Sequence, residues 1–297
     1  MITVIIPFYN EKDNLPILTK RLIEALSKTD DNYEVIFVDD GSTDGSKIEI
    51  NGRKNIVIVS HKKRQGKGRS LNDAFSKSKG DVIIFMDADL QDDPADIKKF
   101  LSKIQSGYDF VNGWRMNRKD PISKLLPSAI FNFFLIRLLL RSKLHDVNSG
   151  FKAMRRSVLE EITLYGDNYR FLPIMADKKG FQTTEIPVNH NPRLYGKSKY
   201  GPWRLFFGFL DTISTYFIYR FAERPLHFFG IFGGFSFLTG LSMMIILLYE
   251  RIFHGVLLYR RPAFIFSVLL IIVGIQIIMT GIIAELVVYL NQKKKKS

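Results

Sequence analysis

Cysteine is absent from this 297-residue chain. Disulfides, thiolate nucleophiles and cysteine-held metals are therefore excluded. Histidine is scarce as well: the five, at 61, 145, 190, 227 and 254, lie too far apart to form a zinc motif. The opening MITVIIPFYN reads as a strand and lacks the ordered basic flank, apolar stretch and small-residue cleavage site of a signal peptide. The N-terminal domain is accordingly expected to stay in the cytoplasm. There is no internal repeat, and no low-complexity segment beyond Lys293 to Lys296. Acidic residues are in deficit, 29 Asp and Glu against 43 Lys and Arg, for a formal net charge of +14. Such an excess fits nucleic acid, anionic lipid or phosphate-bearing substrates.

Long apolar runs decide among these. Leu226 to Tyr249 and Phe264 to Leu290 would each extend roughly 36 to 40 Å as helices, enough to cross a hydrocarbon core of about 30 Å. With two membrane spans expected, lipid and phosphate outrank nucleic acid as partners. Arg220, Arg224 and the terminal lysines place both ends of the pair inside, whereas Arg251, Arg260 and Arg261 in the connecting loop weaken the bias. Two further segments, Leu125 to Arg141 and Pro202 to Phe221, are aromatic and apolar but interrupted by charge, which fits interfacial helices as well as core helices. The expected organisation is a catalytic domain over 1–200, a juxtamembrane amphipathic helix over 201–224 and a membrane domain over 225–297. Glu285, near the end of the second span, is expected to pair with an arginine or to snorkel to the interface. The Gly230, Gly233, Gly234 cluster offers a face for self-association, so a homo-oligomer is left open.

The first two-thirds reads as β-α units. Strands are expected at Ile2 to Phe8, Tyr33 to Val38, Asn55 to Ser60, Asp81 to Met86, Tyr108 to Asn112 and Phe181 to Val188. Leu15, Leu18, Leu22 and Leu26 repeat at helical spacing between the first two. Strands separated by helix-length segments imply an α/β fold with a mostly parallel sheet, whose ligands sit at the strands' carboxyl ends. The unusual residues collect there: Pro7-Phe8-Tyr9-Asn10-Glu11, Asp39-Asp40-Gly41-Ser42 and, above all, Asp87-Ala88-Asp89 with Gln91. If the chain stays extended past Met86, then Asp87, Asp89 and Gln91 share one face and suit a hard divalent cation that also holds phosphate oxygens. Taken singly each motif is weak. Asp-Asp-Gly-Ser is ordinary turn chemistry, Asp92, Asp93 and Asp96 could start a helix, and Gln65-Gly66-Lys67-Gly68-Arg69 could be a solvated basic loop rather than a phosphate cradle.

Together they carry a resemblance. The run DADLQDDP, Gly113-Trp114-Arg115, His145-Asp146-x-x-Ser149-Gly150-Phe151-Lys152, Arg193-x-x-x-x-Ser198-Lys199-Tyr200 and Arg224-Pro225-Leu226 resemble the polyprenyl-phosphate glycosyltransferases of family 2 with the GT-A fold. That group includes dolichol-phosphate mannose synthases and bacterial undecaprenyl-phosphate glucosyltransferases. The resemblance implies a membrane-bound inverting enzyme that moves a hexose from a nucleotide sugar, of UDP-glucose or GDP-mannose type, to a polyprenyl phosphate. It implies that Pro7, Tyr9, Glu11 and Asp39 cradle the nucleoside, with Lys67 and Ala88 in the same donor site. Asp87, Asp89 and Gln91 would hold Mg²⁺ or Mn²⁺, with Asp87 also near the ribose. Arg193 and Lys199 would grip the diphosphate, and Arg115 and Lys124 the lipid phosphate, Arg118 and Lys119 competing with Lys124. His145-Asp146 is read as structural. The enzyme would lie in the plasma membrane as a multi-pass protein with its catalytic domain on the cytoplasmic face. A processive polysaccharide synthase and a non-catalytic sugar-nucleotide sensor stay open, although the Gln-x-x-Arg-Trp of such synthases is missing.

Overall fold

The structure is a computed structural model that describes residues 1–29, 31–46, 55–116, 144–164, 166, 168–192, 214, 217, 221, 224–255, 257–258 and 262–296. The chain divides into two compact units, Met1–Thr215 and Tyr216–Ser297.

The first unit is built on seven strands: β1 (Ile2–Phe8), β2 (Tyr33–Asp39), β3 (Ile56–Ser60), β4 (Val82–Phe85), β5 (Phe110–Trp114), β6 (Lys152–Arg155) and β7 (Thr183–Pro187). Their order is β3-β2-β1-β4-β6-β5-β7. Pairing is parallel throughout except that β6 runs antiparallel to both β4 and β5. Every strand expected from sequence is present, so the mostly parallel α/β reading holds. β6 was not expected. It inserts between β4 and β5 and carries the residues after the Asp146 loop into the middle of the sheet.

Helices cover the sheet: α1 (Leu15–Leu26), α2 (Lys67–Phe75), α3 (Ile97–Gln105), α4 (Arg156–Glu161) and α5 (Leu172–Lys178). Leu15, Leu18, Leu22 and Leu26 of α1 are wholly buried, as their spacing predicts. They share one apolar cluster with Ile2, Val4, Ile6 and Phe8 of β1 and with Phe100, Leu101 and Ile104 of α3. By alternation Ile5, Ile36, Val38, Ile83 and Phe85, also buried, lie on the opposite face. Both faces being dry, the central strands read as near-continuous apolar runs.

The second unit is dominated by two long helices, α6 (Pro225–His254) and α7 (Pro262–Lys296). Within the stretches Pro225–His254 and Pro262–Asn291 the most apolar 18-residue windows have mean hydropathies of 2.1 and 2.6. At 30 residues each these stretches are about 45 Å long, sufficient to cross a bilayer. Among the described residues all exposed large apolar side chains other than Met1, Val57 and Met116 lie between Ile231 and Leu290. That is the surface of a lipid-facing pair rather than of core helices. The two approach closely at glycines: a Cβ on Gly233 would stand 2.8 Å from Gly274 O, and one on Gly274 would stand 2.6 Å from Phe237 N. Gly233 therefore serves packing within the chain, and only Gly230 and Gly234 of the expected self-association cluster have open space around them. Ser236 Oγ donates to Leu270 O at 2.9 Å. Glu285 Oε2 accepts from Leu226 N at 3.2 Å and so caps the first turn of α6, and no arginine among the described residues pairs with it. Phe217, Phe228 and Phe229 form an edge-to-face cluster at that end. The Leu125 to Arg141 segment and, except for Ser214, Phe217 and Phe221, the Pro202 to Phe221 segment lie outside the described residues.

Candidate active site

The carboxyl ends of β1, β2 and β4 form one crevice. Phe8 pairs with Asp39 in the sheet register, so the turns after both strands leave side by side. Cross-bonds lock them together: Asn10 N donates to Ser42 Oγ at 3.0 Å, Thr43 N to Asn10 Oδ1 at 2.8 Å, and Glu11 N to Ser46 Oγ at 3.0 Å. Burial works against the charge of Asp44, but bonds from Ser46 and from Lys12 N–H outweigh it and hold that carboxyl below its usual range. Pro7 is the next-to-last residue of β1, and the Tyr9 ring carries the Arg64 guanidinium 4.7 Å from its centroid. Asp39 is nearly buried, its Oδ1 accepting from Ser42 N at 2.8 Å.

The adjacent Asp40 has a different job. It accepts from Gln65 N at 2.7 Å, Gly66 N at 2.9 Å and His61 Nδ1 at 2.9 Å, while His61 Nε2 meets Asp73 at 3.2 Å. This anchors the loop whose next residue, Lys67, starts α2. Lys67 Nζ pairs with Asp87 Oδ1 and lies 5.0 Å from the centroid of the Tyr169 ring. The basic loop is thus delivered to the acidic motif, not left in solvent. On the far side Asp87 rests against Gly150, where any Cβ would overlap the carboxylate.

The strand does not stay extended through this motif. β4 ends at Phe85, and Leu90, wholly buried, takes a left-handed φ of +61°. The bend folds Asp89 back so that its Oδ1 accepts from Gln91 N at 3.3 Å. Asp89 and Gln91 are therefore brought together by a turn rather than by the expected alternation, while Asp87 pairs with Lys67. Asp93 caps the following 3₁₀ turn (Pro94–Asp96) through Ala95 N. Asp96 ties down the segment after β7, accepting from Asn189 N at 2.7 Å. That segment is held twice more, by Asn191 N to Gln91 O at 2.8 Å and by Gln91 Nε2 against His190 Nε2 at 3.4 Å. Asp92 is buried, and burial followed by the charges of Asp87 and Asp89 pushes its carboxyl up to about 7.

A hard cation fits this donor set in charge and kind. Asp87 and Asp89 lie close enough to add to the burial that raises Asp92, and a divalent ion would relieve that repulsion. Among the described residues no three His, Asp or Glu side chains converge as a complete cluster, so phosphate oxygens and water would supply the remaining positions.

Across the crevice Arg115, just past β5, is held by Asp146 in a two-pronged fork: Nε to Oδ2 at 2.7 Å and Nη2 to Oδ1 at 3.0 Å. Burial opposes the Arg115 charge, but the Asp146 bond and charge prevail and raise its pKa. Next to it Trp114 stacks on His145 with centroids 4.3 Å apart, and His145 Nδ1 pairs with Glu185. Sequence reading had given Asp146 no more than a loop role and did not find Glu185, His61 or Tyr169. Their separation along the chain leaves no local signal. Arg193, Lys199 and Lys124, with Arg118 and Lys119, lie outside the described residues.

The Glycosyl transferase family 2 profile matches residues 3–163. The chain belongs to this family. Of its relatives, dodecaprenyl-phosphate galacturonate synthase from Rhizobium johnstonii is 33% identical, the match covering 96% of this chain and 87% of that protein. Undecaprenyl-phosphate 4-deoxy-4-formamido-L-arabinose transferase from Photorhabdus laumondii is 30% identical over the same shares. Among solved structures, glucosyl-3-phosphoglycerate synthase from Mycobacterium tuberculosis, in complex with Mn²⁺, UDP and glucosyl-3-phosphoglycerate, superposes with a TM-score of 0.57. It is 20% identical and the match covers 73% of this chain and 79% of that one. The likeness is one of fold, and the seven-stranded mixed sheet is that of GT-A glycosyltransferases. For this family 2 glycosyltransferase the profile spans the crevice from β1 through the Asp146 loop, and stops well before α6 and α7.

Proposed function

We propose that this glycosyltransferase moves a sugar from a nucleoside diphosphate to a polyprenyl phosphate at the membrane surface, giving a lipid-linked monophosphate sugar. The observation that carries the reading is the reach of the likeness to the Rhizobium protein, which covers 96% of the chain and so includes the two apolar helices as well as the crevice.

The chemistry asks little covalent work of the chain. A phosphate monoester has a second pKa of about 6 and is mostly dianionic at neutral pH, so the attacking oxygen needs no general base. That agrees with an Asp146 committed to Arg115 rather than poised as a base. The protein must instead bring two anions together and align them. Asp39, with Pro7, Tyr9 and Glu11 around it, holds the nucleoside. Lys67 leaves Asp87 for the donor diphosphate, joined by Arg193 and Lys199. Arg115 orients the acceptor phosphate for in-line displacement, which inverts the anomeric centre, with Lys124 as a further partner. A divalent ion held by Asp87, Asp89 and Gln91 would neutralise the departing diphosphate.

The test is transfer of labelled sugar to undecaprenyl phosphate in detergent from a panel of UDP- and GDP-sugars that includes glucose, mannose, galacturonic acid and the formamido-arabinose. The expected result is lipid-phase label from one donor, abolished by EDTA and restored by Mg²⁺ or Mn²⁺. Asp89→Asn should lower the rate by at least about a hundredfold with the melting transition unchanged. Nucleotide binding without lipid product from any donor would overturn the reading.

A further inference from the structure

Lys152 is 1% exposed, in the four-residue strand β6 beside Ala153 and Met154. A lysine there is expensive: burial above all, with Lys67 and Arg115 adding to it and Asp146 and Asp87 opposing, pulls its pKa down to about 7. Its Nζ donates to Asn112 Oδ1 at 2.8 Å and to Val147 O at 2.9 Å. Asn112, wholly buried, is the direct cross-strand partner of Lys152 in the β5–β6 ladder. Its Nδ2 in turn donates to Asp146 O at 2.7 Å. Two successive carbonyls, Asp146 and Val147, are thus pinned to the sheet by one polar pair. The side chain that emerges from the pinned backbone is the carboxylate gripping Arg115. A methionine would fill the same volume at less cost, yet could hold neither Val147 O nor the Asn112 amide that grips Asp146 O.

We infer that Lys152 is a positioning residue for the acceptor phosphate, acting through Asn112 and the Asp146–Val147 backbone to set the carboxylate that orients Arg115. The inference rests on the reading of Arg115 as the acceptor-phosphate ligand. The fork occupies Nε and Nη2, and a guanidinium has further N–H donors on Nη1. Rotating the carboxylate turns the plane in which those donors lie, so a loosened loop weakens phosphate binding without touching the nucleotide side.

The experiment is a double-mutant cycle on the full chain in nanodiscs, measuring equilibrium binding of undecaprenyl phosphate, with UDP and GDP binding in Mn²⁺ as controls. Arg115→Ala is expected to weaken lipid-phosphate binding by about a hundredfold and Lys152→Met by about tenfold. Nucleotide affinity should stay within about twofold for both, and Lys152→Met should add nothing in the Arg115→Ala background. A structural role alone would lower both affinities together, or lower lipid binding additively. Should Lys152→Met fail to fold, Asn112→Asp reads the same link: it keeps an acceptor for Lys152 but turns an oxygen against Asp146 O, and the same selective loss is expected. If Arg115→Ala leaves lipid-phosphate binding intact, the acceptor reading fails and the inference with it. If Arg115→Ala acts and Lys152→Met does not, or acts additively, the inference alone is overturned.

Discussion

The acidic turn shows how single residues share the burden of a site that must collect negative charge. Lys67 occupies Asp87, Gly150 leaves room for that carboxylate, and Leu90 accepts a left-handed backbone at a cost of about 1–2 kcal/mol, compensated by burial of its side chain. Asp92 is left as the member that pays in protonation. Because its carboxyl is raised to about 7, the folded chain holds a proton that the unfolded chain has released between its ordinary carboxylate range and 7. Stability from this group is therefore present at low pH and falls as pH rises through that window. Asp92→Asn removes the dependence. Melts in EDTA at pH 5 and pH 8 should show the variant ahead of the parent at both, with a lead wider at pH 8 than at pH 5 by roughly a few degrees. Parallel curves would remove Asp92 as the titrating group. Gly150→Ala makes a second residue-scale case: the added methyl displaces Asp87, and transfer should drop at least about tenfold with little change in nucleotide-free stability.

At the scale of elements, the helix pair makes the sharper claim. Gly274 sits where α6 crosses α7 with Phe237 N 2.6 Å from any added Cβ, so Gly274→Leu must part the helices. The variant should melt earlier in detergent, and Leu substituted at Gly234, which has open space, should not. Equal effects at the two positions would place the crossing elsewhere. These helices were legible in the sequence because apolar length needs no tertiary context. So was the crevice, since Asp39, Asp87 and Tyr9 all follow strands whose apolar runs announce them. β6 was not. Four residues long with Lys152 and Arg155 at its ends, it shows neither alternation nor an apolar run, and only its neighbours make it a strand. The geometry of Asp87 to Gln91 was misread for a related reason: period-two alternation holds only while the backbone is extended, and nothing in the letters D-A-D-L-Q marks a buried leucine at positive φ. Asp40 went unnoticed as the anchor of the Lys67 loop because its partners lie 21 to 26 residues away.

For the whole molecule, we propose that α6 and α7 both cross the membrane with their outer ends on the cytoplasmic side and the short connection outside, the orientation that a basic tail favours. The basic count beyond the membrane ends is not one-sided, since Arg251 lies in the last turn of α6 and Arg260 and Arg261 fall in the connection. Parity adds only that the two ends share a side, since two crossings return the chain to the side on which it began. The absence of cysteine makes this directly measurable, because any single cysteine introduced is the sole thiol. Ser102→Cys, on α3 of the first unit, and Ser297→Cys, at the tail, should resist a membrane-impermeant maleimide in intact cells and label in inverted vesicles. Leu257→Cys, in the connection, should label in intact cells. If Leu257→Cys is protected and Ser297→Cys is labelled from outside, the pair is inserted the other way, and a sugar donor made in the cytoplasm could not reach Asp39 and Asp87 without crossing the membrane first.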